Sequence, residues 1–465
     1  MQTIDQLRSG QLAGIQRLTL CCGLKSFPEE IFDLAATLEI LDLSGNSLSN
    51  LPEDIAKLSK LRVIFCSNNE FTELPEVLGR CPELSMVGFK ANRICKVSAK
   101  ALPKKLRWLI LTDNEIEELP AEIGHRNQLQ KLMLAGNKLQ TLPESLANCK
   151  RLELLRIAAN QLTELPTWLF SLPRLSWLAY SGNPLGAALE SRALTATSID
   201  DIGWNTLELE NILGEGASGT IYRANYRYYH QDHYPVAVKL FKGAVTSDGL
   251  PYCEMAASIS AGKHPNLINV IGKVSDHPSG TSGLVMELIE SEFKNLAGPP
   301  SLDSCTRDIY PLDTCFDLPT LLLIARNISS VARHLHNLGI MHGDLYGHNI
   351  LHCDQGRALI GDFGAASFYT TDSSGIANGL QRMEVRAFGC LLEELMDRCS
   401  FHPEDYDVFS LLNELKTACL CEESEQRPFF AAIDSLLSDV LRRVNSREMH
   451  ERLEIVETKL IPMQD

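Results

Sequence analysis

The sequence predicts two folds in tandem: an α/β solenoid of stacked turns, then an α+β domain. Three observations carry that reading. Asn46, Asn69, Asn92, Asn114, Asn137, Asn160 and Asn183 recur at spacings of 22 or 23 residues. A glycine-rich loop, Leu213 to Ile221, precedes an alternating strand, Val236-Ala237-Val238, that ends on Lys239. Farther on, Asp344 is followed by Asn349 and by Asp362-Phe363-Gly364.

The chain has 465 residues, room for two or three domains with their own cores. Apolar residues make up 45% and charged residues 22%, which argues against wholesale disorder. No apolar run approaches the roughly 18 residues needed to span a bilayer. The opening Met1-Gln2-Thr3-Ile4-Asp5 lacks the basic-then-apolar order of a secretory signal. The expected location is therefore cytoplasmic, with the 14 Cys as reduced thiols. Charge is unevenly divided. Residues 1–195 hold 22 Lys+Arg and 21 Asp+Glu, whereas residues 196–465 hold 21 and 38. An acidic second half argues against nucleic acid or an anionic membrane as partner and suits basic acceptors.

Each periodic Asn closes the same phrase, as in Leu38-x-x-Leu41-x-Leu43-x-x-Asn46-x-Leu48. The Leu positions need burial between stacked turns. The Asn amide can satisfy backbone groups of adjacent turns where the chain bends away from the strand. Seven copies in register identify a leucine-rich repeat solenoid. The second half of each repeat reads like Leu51-Pro52-Glu53-Asp54-Ile55. It resembles the 23-residue intracellular class, which implies short helical or irregular turns on the convex side. Ile15, Leu18 and Leu20 begin the phrase without its Asn, as a terminal cap would.

Positions alternating with the buried Leu face the concave surface. They include Phe65, Trp108, Met133 and Trp177, with Lys90, Lys131 and Arg156 among them. An apolar stripe with two Trp predicts a protein or peptide partner there; cover by the second domain is the alternative. The phrase is lost from about Gly186 to Asp201, a linker or capping segment. The expected division is 1–190 solenoid, 191–203 linker, 204–445 second domain and 446–465 tail.

In the second domain, Gly214, Gly216 and Gly219 let backbone approach phosphates, with Leu213 and Ile221 as apolar flanks. Alone that spacing is weak, because dinucleotide-binding folds share it. Joined to Lys239 and to the Asp344, Asn349 and Asp362 set, it resembles a protein kinase over about residues 204–445. The fold class is then an α/β leucine-rich repeat solenoid followed by an α+β two-lobed protein kinase-like domain. The resemblance implies ATP and Mg²⁺ as cofactors. It places Leu213, Gly214, Glu215, Gly216, Ala217, Ser218, Gly219, Thr220 and Ile221 over the nucleotide. Ala237 and the backbone of Glu287 and Ile289 would border the base, with Met286 beside the adenine pocket. Asp344 would orient the acceptor hydroxyl, and Asn349 and Asp362 would hold the metal. Lys239 would grip the phosphates, steadied by Glu254, the only acid between Gly249 and Val274. His342 and Phe363 would pack in the apolar spine.

Three departures from the family pattern matter. Gly343 stands where most protein kinases carry Arg, which disfavours switching by phosphate–Arg pairing. Residues 365–383 lack an Ala-Pro-Glu motif, so Arg427 needs another acid, for which Glu384 is the candidate. Tyr346 stands where serine/threonine kinases usually place Lys. The reading is an ATP-dependent protein kinase, serine/threonine by preference, whose repeats bind substrate or regulator. A nucleotide-binding scaffold and a small-molecule phosphotransferase remain open.

Overall fold

The computed structural model describes residues 2–460, except 197–198, 217, 228–232, 244, 247 and 373. Eight short parallel strands form one sheet in sequence order: β1 (Arg17–Thr19), β2 (Ile40–Asp42), β3 (Val63–Phe65), β4 (Met86–Gly88), β5 (Trp108–Ile110), β6 (Lys131–Met133), β7 (Leu154–Arg156) and β8 (Trp177–Ala179). Their central residues stack in one inward row, Leu18 on Leu41, Ile64, Val87, Leu109, Leu132, Leu155 and Leu178. Every member of that row is buried.

The periodic asparagines do what their spacing requires. Asn137 Nδ2 donates to Leu111 O at 2.9 Å and Leu134 O at 2.9 Å, while its Oδ1 accepts from Ile116 N at 3.0 Å. Three backbone groups of two turns, which the strands leave unpaired, are thus satisfied by one side chain. The Leu-Pro half of the repeat becomes a 3₁₀ turn, as at Glu53–Lys57 behind Pro52 and Ala121–His125 behind Pro120. At the N-terminal end helix α1 (Ile4–Arg8), capped by Thr3, buries Leu7 over the first turn.

The segment expected to link or cap is helix α2 (Ala187–Ala196). After it β9 (Asp200–Gly203) pairs in parallel with β13, so the next sheet takes in residues assigned to the linker. That sheet runs β10-β11-β12-β14-β13-β9, with β10 Leu207–Glu215, β11 Gly219–Arg227, β12 His233–Phe241, β13 Val270–Ser275 and β14 Gly283–Glu287. Helix α3 (Pro251–Ser260) follows β12. Beyond β14 the lower lobe is helical: α4 (Leu318–Asn337), α5 (Gly375–Met396), α6 (Tyr406–Cys419) and α7 (Phe430–Leu460). Asp317 starts α4 by accepting from Thr320 N at 2.9 Å. Among the described residues, no helix is long and apolar enough to cross a membrane.

The two halves share their cores. Met133, Leu154 and Trp177 of the solenoid belong to the buried cluster built on α4 and α5. Conversely Met341, Tyr369, Leu380 and Met383 join the core of the repeats. The concave stripe predicted to take a partner is therefore covered, at Met133 and Trp177, by the chain's own lower lobe. The cover fits closely because Ala135, Ala158 and Ala179 stack under Ala365, small residues that let two backbones approach. Phe65 and Trp108 stay half-buried.

Candidate active site

The upper lobe positions the glycine loop and Lys239. The β10–β11 hairpin carries Gly214, Gly216, Ser218 and Gly219 over a cleft of about 1020 Å³. A Cβ at Gly219 would sit 2.5 Å from Leu240 O, so the hairpin itself requires that glycine. A Cβ at Gly214 or Gly216 would meet nothing within 4 Å. Protein packing does not demand those two. Leu213, Glu215, Ile221, Ala237, Glu287 and Ile289 also line the cleft. Thr220 is buried in the hairpin and Ala217 lies outside the described residues.

Lys239, two residues before the end of β12, is buried in the cleft and forms an ion pair with Glu254 of α3. Asp362 Oδ1 lies 3.6 Å from the same ammonium. Burial raises the Glu254 carboxyl to about 7, against the pull of Lys239 and with the repulsion of Asp362 adding to it. Burial works against the Lys239 charge, but Asp362 and Glu254 outweigh it and raise its pKa. The elimination that singled out Glu254 therefore chose the residue that meets Lys239.

Across the cleft, Asp344, Asn349 and Asp362 come together on the lower lobe. Asn349 Nδ2 donates to Asp344 Oδ2 at 2.8 Å and to Asp344 O at 3.0 Å. Asp362 sits at φ 54°, a left-handed turn unusual for a side-chain-bearing residue, and its half-exposed carboxylate lines the cleft with Asn349. Behind them His342 Nε2 donates to Gly361 O at 2.9 Å, and its ring packs 5.3 Å from that of Phe363.

These features decide the matter. The chain carries a protein kinase domain. Residues 207–411 match the family described as protein tyrosine and serine/threonine kinase, while 37–58, 104–162 and 127–185 match leucine-rich repeat families. Similar proteins include cyclin-dependent kinase 11.1 of Caenorhabditis elegans, 28% identical over 35% of this chain and 21% of its own length. Human serine/threonine-protein kinase TNNI3K is 26% identical over 35% of this chain and 18% of its length. Human ephrin type-A receptor 8 is 24% identical over 53% and 27%. The chain thus spans about a quarter or less of those relatives.

Around these residues stand contacts that the sequence reading missed, several of them made by the solenoid. Arg156 of β7 is 1% exposed and reaches across from the solenoid. Its Nη2 forms an ion pair with Asp344, its Nε donates to Asp248 at 2.6 Å, and its Nη1 donates to Gly343 O at 3.1 Å. Burial opposes the charge, but the Asp344 and Asp248 carboxylates outweigh it and lift the guanidinium above its ordinary pKa. Trp177 stacks on Tyr346 at 4.2 Å and 9°, with its Nε1 donating to Leu345 O at 3.2 Å. Glu384 accepts from Gly343 N at 2.7 Å and meets His336 Nε2 at 2.8 Å. Asp308 fixes His348 through its ring, 2.7 Å, and its backbone, 2.9 Å. Arg156 had a signal in its concave repeat position. Asp248 and Asp308 had none, because each lies in irregular chain.

Arg427 corrects an expectation. It donates to the carbonyls of Cys421 (2.8 Å), Arg382 (3.3 Å) and Pro173 (2.8 Å), not to Glu384. Burial lowers its pKa to about 10. The acid proposed for it is already engaged under Gly343, and the solenoid supplies a carbonyl instead. The segment after Asp362-Phe363-Gly364 is also shorter than the sequence suggests. Helix α5 begins at Gly375, and Ser367–Phe368 pairs antiparallel with Ile340–Met341.

Proposed function

We propose that this chain is an ATP-dependent protein kinase that transfers phosphate to serine or threonine hydroxyls. The observation that carries the reading is a cleft under a glycine loop lined by Lys239, Asn349 and Asp362, with Glu254 paired to Lys239 and Asp344 hydrogen-bonded to Asn349. The cleft fits a nucleotide, since Gly214 and Gly216 leave open space above it and Lys239 supplies a cation at its back wall. The carboxylate of Asp362 and the amide oxygen of Asn349 are hard oxygen donors of the kind a magnesium ion takes. When bound, magnesium nucleotide supplies the transferable phosphoryl group and neutralises its charge.

The chain's own residues do the positioning. Lys239, held by Glu254, grips the phosphates. Asp344 accepts the acceptor's hydroxyl hydrogen bond and orients its oxygen for attack. The preference for serine and threonine rests on the relatives named as serine/threonine kinases. The repeats contribute to acceptor or regulator choice through the half-buried stretch around Phe65, whereas Trp108, with Lys131 4.3 Å over its ring, packs against the lower-lobe core.

Transfer from radiolabelled ATP by the full chain tests the reading, with Asp344→Ala and Lys239→Met as controls. Label in protein that is acid-stable and recovered as phosphoserine or phosphothreonine is the expected result. Label recovered only in metabolites, or transfer unaffected by Asp344→Ala, overturns it.

A further inference from the structure

The repeats do more than adjoin the kinase domain; one of them reaches its catalytic loop. We infer that Arg156 of the solenoid is a positioning residue for phosphoryl transfer, bracketing Asp344 and Asp248 so that the acceptor-orienting carboxylate is held from the repeat side. The inference rests on the role proposed for Asp344.

Asp344 presents two oxygens, and each meets a donor. Oδ2 takes the Asn349 amide at 2.8 Å, and Oδ1 takes the Arg156 guanidinium. Asn349 lies on the same loop and moves with Asp344. Arg156 stands on a strand of another fold and gives the carboxylate an external reference. Two further bonds fix the guanidinium, one to Gly343 O in the catalytic loop and one to Asp248 ahead of α3. That second carboxylate connects the bracket to the helix bearing Glu254. A planar guanidinium can span three separate acceptors on three nitrogens, whereas a lysine ammonium offers its donors from one atom.

The contact is built as core, not as a latch. Strand β8 lies so close that a Cβ on Gly343 would stand 2.5 Å from Leu178 O and 2.6 Å from Ala365 O. Tyr180 N accepts no slack either, donating to Ser367 Oγ at 3.1 Å while its hydroxyl donates to Phe368 O at 3.0 Å. A guanidinium that is 1% exposed, between two carboxylates and inside a shared apolar core, has nowhere to swing. Asp344 keeps 18% of its side chain exposed, so the bracket does not seal the carboxylate.

The test compares full-length Arg156→Lys, Arg156→Met and Tyr180→Phe with wild type. Tyr180→Phe removes an inter-domain hydrogen bond without touching Asp344. Four quantities are measured: kcat, KM for ATP, nucleotide affinity by equilibrium binding, and amide hydrogen exchange over residues 343–349. Loss of positioning lowers kcat by about 10- to 100-fold with KM for ATP and nucleotide affinity unchanged. Exchange in the loop rises in both Arg156 variants and stays at the wild-type level in Tyr180→Phe. Should Arg156→Met fail to fold, Arg156→Lys, which keeps the charge, decides. A folded Arg156→Lys with wild-type kcat overturns the inference, as does a loss confined to KM. A rise in kcat overturns it too, since that is the mark of an inhibitory plug. Wild-type protein that transfers no phosphate overturns both this inference and the proposed function. Transfer by wild type that Arg156 substitutions leave intact overturns this inference alone.

Discussion

Replacing Gly343 by Ala probes the junction between solenoid and catalytic loop at a single atom. Gly343 sits at φ 74°, and an added methyl would fall 2.5 Å from Leu178 O and 2.6 Å from Ala365 O. Two costs add. A left-handed backbone costs a non-glycine residue about 1–2 kcal/mol, and forcing a methyl into filled space costs about 1–3 kcal/mol more. Gly262, at φ 62° after α3, isolates the first cost, because a Cβ there meets nothing within 4 Å. Thermal unfolding of the full chain, followed by circular dichroism, reads both variants. At roughly 2–4 °C per kcal/mol, Gly262→Ala should lower Tm by about 2–8 °C and Gly343→Ala by about 4–20 °C. The informative quantity is the difference between them. If the two variants unfold at the same temperature, β8 does not press on the catalytic loop and the argument fails.

Other consequences can be measured directly. Glu254, lifted to about 7 by burial, should be protonated on the acid side of neutrality and lose its pairing with Lys239 there. Its acid limb in kcat/KM for ATP is therefore expected near that pH, and Glu254→Gln should abolish the limb. A carboxyl raised on folding favours the folded state at low pH, so wild-type stability relative to Glu254→Gln should fall as pH climbs from 4.5 through about 7. Trp177→Ala removes a ring buried against Tyr346 and a hydrogen bond to Leu345 O; denaturant titration should show a loss of about 3–5 kcal/mol. Asn137→Ala strands Leu111 O, Leu134 O and Ile116 N, and the same titration should show a loss of at least about 2 kcal/mol.

What the sequence reveals follows from how local the physics is. The repeat is legible because each turn uses the same Leu row and the same Asn, and stacking such turns leaves one solution. The candidate site is legible because Lys239, Asp344, Asn349 and Asp362 keep the spacing of the kinase family, and Glu254 is reachable by elimination. The partner of Arg427 is not legible. Its hydrogen bonds run to Pro173 O, 254 residues away, and backbone carbonyls leave no mark in a sequence. Arg156 is similar: its position on the concave face is plain, but its ion pair with Asp344 spans 188 residues between two folds. Gly343 shows both sides. Its oddity is visible in the sequence, whereas its cause, the Leu178 carbonyl, is visible only in the packed chain.

The shared core changes how the role of the repeats can be tested. Removing residues 1–190 would bare Met341, Tyr369, Leu380 and Met383, which pack in the solenoid's core, and would take Arg156 and Trp177 away from the catalytic loop. Lost activity after such a deletion would report a broken active site as readily as a lost docking surface. Substrate choice must be probed where the concave face is still open and the catalytic loop is not touched. Phe65 is such a place: half-buried and packed over Gly88, it lies four strands from β7. A substitution there that changes KM for one protein acceptor, with KM for ATP unmoved, separates recognition from catalysis, because Lys239, Asp344 and Arg156 all keep their partners.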